Sequence, residues 1–198
     1  MSYADGVALL PRLVALYMRQ SPEARVHLDA GYEPELVQKL ENGELDFAIL
    51  ENQPTEPGIV TEMLGYKKLV FLAPDKAPYN QTLGPVPIET LLKWPMIVYE
   101  WHSGRHMVGC FDTHEAMVEG VKAGLGWATL PECIASRYRN EPGIVRFKVA
   151  TDTMWYPVSL TWPSSNSPSD EARAFADFVR ENIPEGYFAN STEAQLRS

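Results

Sequence analysis

The stretch that most constrains this chain is Phe111–Pro131, FDTHEAMVEGVKAGLGWATLP. It reads as a strand end, a helix, a tight glycine turn, a short apolar strand and a proline that stops it. Thr113 stands where a helix N-cap is wanted, and Met117, Val118, Val121 and Leu125 recur at spacings of three and four, giving one apolar stripe. Gly124 suits the left-handed conformation that ends a helix, and Gly126 leaves room for a neighbouring backbone. Trp127 to Leu130 is short and mostly apolar, the pattern of an interior strand of a parallel sheet. The unit reads as one repeat of an open α/β sheet. Ligands of such sheets meet the carboxyl ends of strands beside helix N-termini, which puts a candidate site at Asp112, Thr113 and His114.

The 198 residues carry 17 basic and 26 acidic side chains, a net charge of -9. Wrapping a phosphate backbone takes clustered Lys and Arg, so this balance argues against DNA contact by this chain alone. No apolar run approaches membrane-spanning length, and no basic-then-apolar leader or lipidation signal is found, so the expectation is a cytoplasmic protein without a membrane segment. In that compartment Cys110 and Cys133, 23 positions apart, are not expected to form a disulfide.

Taken in order, the opening puts Leu10, Leu13, Val14 and Tyr17 on one helical face, with Ser2 or Asp5 as cap. Pro11 would remove a bond to the Val7 carbonyl, so that helix either bends there or becomes regular after it. Arg25 to Ala30 (RVHLDA) alternates as a strand does, Pro34 opens a helix that ends at Gly43, and Leu45 to Leu50 is a buried strand. Gly58 to Leu64 and Lys67 to Ala73 are two further strands. Prolines and glycine from Pro74 to Pro87 mark a long connection suited to a domain boundary. A short helix at Ile88 to Lys93 precedes strands at Met96 to Trp101 and His106 to Asp112. After Pro131 come a helix to about Arg139, strands at Ile144 to Val149 and Tyr156 to Trp162, and a closing helix with Ala172, Phe175, Ala176 and Val179 on one face. The tail from Pro184 lacks periodicity and is expected to fray.

Three fragments, ALLPRLVALYMRQSPEARVHLDAG, ELVQKLENGELDFAIL and EAMVEGVKAGLGWATLPECIA, followed by YPVSLTW and its helix, give the chain a name: it resembles the effector-binding domain of LysR-type transcriptional regulators. The resemblance implies an α/β, type 2 periplasmic-binding-protein-like fold, two α/β subdomains around a cleft that takes a small ligand. Residues 1–65 with 153–185 would form subdomain I, residues 66–152 a reduced subdomain II, and residues 186–198 a tail. The implied function is sensing of a small, anionic metabolite and coupling of its binding to transcription, by a homodimer or higher homo-oligomer, without catalysis or a cofactor. Family members carry a winged helix-turn-helix and a linker helix ahead of this domain, so DNA contact would run through a domain absent from this chain. A freestanding solute-binding protein of the same fold is the alternative.

Two departures from the family pattern stand out. The family's first strand is nearly gone, since Ser2 falls where it normally ends. Only His102, Ser103, Gly104 and Arg105 separate the strands Met96 to Trp101 and His106 to Asp112, enough for a hairpin but not for the dozen-residue crossover of parallel neighbours.

On the resemblance, a ligand would meet Ser2 and Tyr3 at the first helix start, Glu51 after the strand ending at Leu50, the Ser103-Gly104 turn, and Thr113 and His114. Two helix N-termini facing one cleft make a site for a carboxylate or similar anion, whereas Glu51 would repel one. The bland reading is that Ser2 and Thr113 only cap their helices. His102, His106, Cys110 and His114 stand four apart, which raises a metal-binding variant. On a strand that spacing spreads them over about 40 Å, so surface or cleft histidines are the simpler reading. Cys110, Asp112 and His114 could share a strand face as a catalytic set, but no nucleophile elbow or phosphate loop accompanies them, and Cys110 reads as a small buried hydrophobe.

Overall fold

The computed structural model describes residues 6, 8–51, 53–55, 57–82, 84–99, 106–150, 154–165 and 168–189. They form two compact units, one running to Lys67 and resuming at Tyr156, the other Lys68–Trp155. The first contains helix α1 (Leu10–Gln20), helix α2 (Glu33–Glu41), strand β1 (Ala48–Leu50) and the first part of strand β2 (Ile59–Pro74). The second holds the rest of β2, helix α3 (Ile88–Leu91), strands β3 (Met96–Val98) and β4 (Met107–Cys110), helix α4 (His114–Lys122), strand β5 (Ala128–Pro131), helix α5 (Glu132–Ala135) and strand β6 (Ile144–Phe147). Strand β7 (Trp155–Pro163) and helix α6 (Asp170–Asn182) complete the first unit.

In the first unit β1 lies antiparallel to β7, with Ile49 opposite Leu160. Alternation along β1 sends its side chains to two layers. Ile49 joins Leu10 and Leu13 of α1 and Phe175 and Val179 of α6, while Ala48 and Leu50 join Leu36, Val37 and Leu40 of α2. Each such buried aliphatic side chain stabilises the fold by about 1.5–3 kcal/mol. Tyr17 packs against Phe175 and Phe178 with ring centroids 4.9 and 5.2 Å apart. Pro11 falls in the first turn of α1, where a missing N–H costs no intrahelical bond. Arg180 forks onto Glu62, Nε to Oε1 at 3.0 Å and Nη2 to Oε2 at 2.7 Å, and so fastens α6 to β2.

Three expectations are corrected here. Arg25–Ala30 half-buries Val26 and Leu28 against the α1 and α6 layer, yet it joins no sheet ladder among the described residues. Alternation fixes which side chains face inward; a strand also needs a partner of matching register. The segment is tied to α2 by an ion pair, Lys39 to Asp29, whose hydrogen bond holds the Asp29 carboxyl below the usual carboxylate range. The two strands expected at 58–64 and 67–73 are one strand, β2. It continues through Gly65, whose φ of +148° leaves no room for a side chain: a Cβ there would sit 2.7 Å from Phe188 Cβ and 2.9 Å from the Ala189 carbonyl. Of the tail expected to fray, residues 190–198 lie outside the described residues; the part before them is tied to β2 by a single bridge, Tyr66 and Ala189 exchanging N–H···O bonds of 2.9 Å each.

In the second unit β2 is flanked by β5 and β6, both antiparallel, with Phe71 opposite Thr129 on one side and Phe147 on the other. A strand paired on both edges and covered by side chains needs a near-continuous apolar run, which KLVFLAP supplies. Phe71, Tyr79, Leu91 and Trp127 form the core, with Trp94 set edge-on to Tyr79 at 5.0 Å, and burial raises the Tyr79 hydroxyl above its ordinary pKa. The strand after α4, expected in a parallel sheet, is therefore antiparallel, while Trp127 just before it makes a parallel bridge to Met96. β3 and β4 are parallel, against the hairpin expected from their short connection. The strands are three and four residues long, so the chain has only about 10 Å to retrace, well within the reach of residues 99–106.

Replacing Gly65 by alanine forces the tail off β2 or strains the strand, and it should lower stability by about 1–3 kcal/mol in urea unfolding followed by circular dichroism.

Candidate functional site

The second unit builds its candidate site around the start of α4. Gly126 allows the turn after that helix to press on β3: a Cβ at this position would lie 2.2 Å from the Pro95 carbonyl oxygen. Trp127 N–H donates to that oxygen at 2.9 Å, and the Trp127 carbonyl accepts from Ile97 N–H at 2.8 Å. Gly124, at φ +83°, ends the helix as its sequence position requires. Met117, Val118 and Val121 face inward, and Gly120 lets α4 approach Ile97 and Phe111. These contacts hold α4 beside β3, which brings Tyr99, just beyond β3, over the first residue of the helix.

Thr113 has extended φ and ψ and caps α4, its Oγ1 accepting from Ala116 N–H at 3.1 Å. His114 is 5% exposed, its ring stacked on Tyr99 with centroids 4.8 Å apart and planes 11° from parallel. The first-turn N–H groups and the positive end of the helix dipole lie at this end. Glu115 is answered by Arg137 at 3.9 Å. Burial, followed by the Glu115 charge, raises the nearby Tyr138 hydroxyl.

Of the residues expected from sequence, Thr113 and His114 come together at one helix start. Ser2, Tyr3, His102, Ser103 and Gly104 lie outside the described residues. Glu51, in the first unit, accepts a hydrogen bond from Lys67 Nζ at 2.9 Å; the lysine side chain is 3% exposed, the carboxylate 25%. The repulsion expected between Glu51 and an anion is thus offset by its own cation. Among the described residues no group of three or more His, Cys, Asp or Glu is placed to hold a metal. His106 Nδ1 lies 3.3 Å from the Lys93 carbonyl, and Cys110 Sγ donates to the Tyr99 carbonyl at 3.6 Å. Cys110 is exposed on an edge strand, not the buried hydrophobe expected, and neither cysteine is in a disulfide. Asp112, Cys110 and His114 do not share a strand face, because the strand ends at Cys110 and His114 begins the helix.

Sequence reasoning missed Tyr99 and Lys67. Tyr99 follows an apolar strand and looked like its continuation. The tandem Lys67-Lys68 did carry a signal, since alternation in a strand must turn one of the two inward.

The two α/β units are consistent with one family of binding domains. Residues 3–184 match the family model described as LysR substrate binding domain, and the chain belongs to that family. The transcriptional regulator CbbR of Sinorhizobium medicae is 28% identical over 196 residues, covering 89% of this chain and 61% of CbbR. The curated relatives are thus longer than the part matched here. Among solved structures, the regulatory domain of Synechocystis PCC6803 CcmR, in complex with 2-PG, superposes with a TM-score of 0.81 at 14% identity, covering 93% of this chain and 95% of that one. The effector-binding domain of QuiR, in complex with shikimate, gives 0.78 at 16% identity, covering 91% and 92%. These likenesses establish the α/β, type 2 periplasmic-binding-protein-like fold with its two subdomains. No helix of the described residues is long and apolar enough to cross a membrane.

Thr113→Ala removes the α4 cap and should cost about 1 kcal/mol in denaturant unfolding, while Thr113→Ser should restore most of it.

Proposed function

We propose that this chain is the effector-sensing domain of a cytoplasmic LysR-type transcriptional regulator, and that it takes a small anionic metabolite at the start of α4. The observation that carries the reading is the helix start itself, Thr113-capped and backed by the His114–Tyr99 stack, in a chain of the LysR substrate-binding family. Ser103 and Gly104 are proposed as further contacts. That QuiR was solved with shikimate and CcmR with 2-PG supports a ligand of metabolite size. DNA contact is assigned to a part of the regulator outside these residues, in keeping with their net charge of -9. Ligand binding would shift the packing of two copies of the chain, by no more than the ligand's preference for one packing over the other.

Thermal-shift measurements with small carboxylates, phosphorylated acids, amino acids and divalent metals test this. An anion present at about a hundred times its Kd should stabilise the protein by about 2.7 kcal/mol, and His114→Ala should shrink the shift. A response confined to divalent metals, or none to any anion, would sink the proposal.

A further inference from the structure

Lys67 is a buried cation of the first unit. Its side chain is 3% exposed and its Nζ donates to Glu51 Oε1 at 2.9 Å, whereas the Glu51 side chain is 25% exposed. The carboxylate is therefore the solvent-side member of the pair, and a solute that reaches the ammonium does so by taking its place. Glu51 follows directly on β1, so the pair sits at the carboxyl end of that strand, the end at which α/β sheets receive ligands.

Stability alone does not call for a lysine here. Gly65, Lys67, Leu69 and Phe71 are the buried members of the alternation along β2, so Lys67 puts a charge in a row that is otherwise apolar or bare. Taking an ammonium and a carboxylate out of water costs about what their attraction returns, and apolar residues of similar volume commonly serve a fold as well or better. What the lysine does bring is a fixed need for an anion. Glu51 meets that need, and a free carboxylate of the same shape would meet it equally well, since both offer an oxygen to the same N–H donors.

We propose that Lys67 anchors the acid group of a small carboxylate ligand, and that Glu51 is the chain's own stand-in for that group, an internal competitor that the ligand displaces. The ammonium is then never left bare, and the ligand's apparent affinity is its intrinsic affinity scaled by the fraction of molecules in which Glu51 has swung aside. Glu51 thus sets the concentration at which the site responds. Both residues belong to the first unit, so this inference and the reading of the α4 start can fail independently.

The test is chemical rescue on the full chain, with thermal unfolding followed by circular dichroism in sodium acetate and in sodium chloride at equal ionic strength. Glu51→Ala empties the place of one carboxylate. It should melt below the unaltered chain in chloride and recover at least half of the lost Tm in acetate. The double variant Glu51→Ala with Lys67→Met removes both charges; it should fold and show no gain specific to acetate. Absence of an acetate-specific gain in Glu51→Ala, or an equal gain in the double variant, overturns the proposal, since the pair would then be a closed structural tie. Should Glu51→Ala not fold in chloride, Glu51→Gln decides. Its neutral amide still gives the ammonium an oxygen but competes more weakly, so acetate should raise its Tm more than that of the unaltered chain, and an equal rise overturns the proposal.

Discussion

The close approach of the Gly126 turn to the Pro95 carbonyl governs the second unit. It is a backbone contact, so no side-chain adjustment can relieve it, and any β-carbon at residue 126 would collide with that oxygen. From it follow the bonds between Trp127 and β3, the seating of Trp127 beside Phe71, and the position of α4 alongside β3. Tyr99 then lies over His114 because β3 ends where α4 begins. The candidate site is thus the far end of a contact made at the other end of the helix.

The first unit is organised by a different demand. Its helices cover β1 from both sides, which makes the layer between them suitable for apolar strands only. Charged groups near that layer are paired: Lys67 with Glu51, Arg180 with Glu62 and Asp177, Lys39 with Asp29. The Lys67 pair matters most, because that ammonium is taken out of water and would be costly without a carboxylate at hydrogen-bond distance.

Local chemistry made much of this legible in the sequence. Thr113 capping α4, Gly124 ending it, Gly126 admitting a neighbour and Pro11 marking the first regular turn of α1 each act within a few residues, and each was readable. The family was readable too, through several weak fragments in the right order. What failed were statements about pairing. RVHLDA has the alternation of a strand but no ladder among the described residues, β5 runs antiparallel where a parallel neighbour was expected, and β3 with β4 does the reverse. Strand partners and directions depend on residues far apart in the chain, and periodicity of 2 is the same in every case. Cys110 was misread for a related reason: burial on an edge strand depends on what lies across it, which no local pattern encodes. Four of the seven expected ligand contacts, Ser2, Tyr3, Ser103 and Gly104, fall outside the described residues.

The pairing of Ala189 with Tyr66 bears on where this domain stops. The family match closes at residue 184, yet the polypeptide goes on to lay Phe188 and Ala189 along β2, over a glycine that has no other reason to be bare. Trimming to the family boundary would strip a protective cover from a long hydrogen-bonding edge and leave it open to sticking to its own kind. Phe188 and Ala189 thus behave as a hem on the sheet.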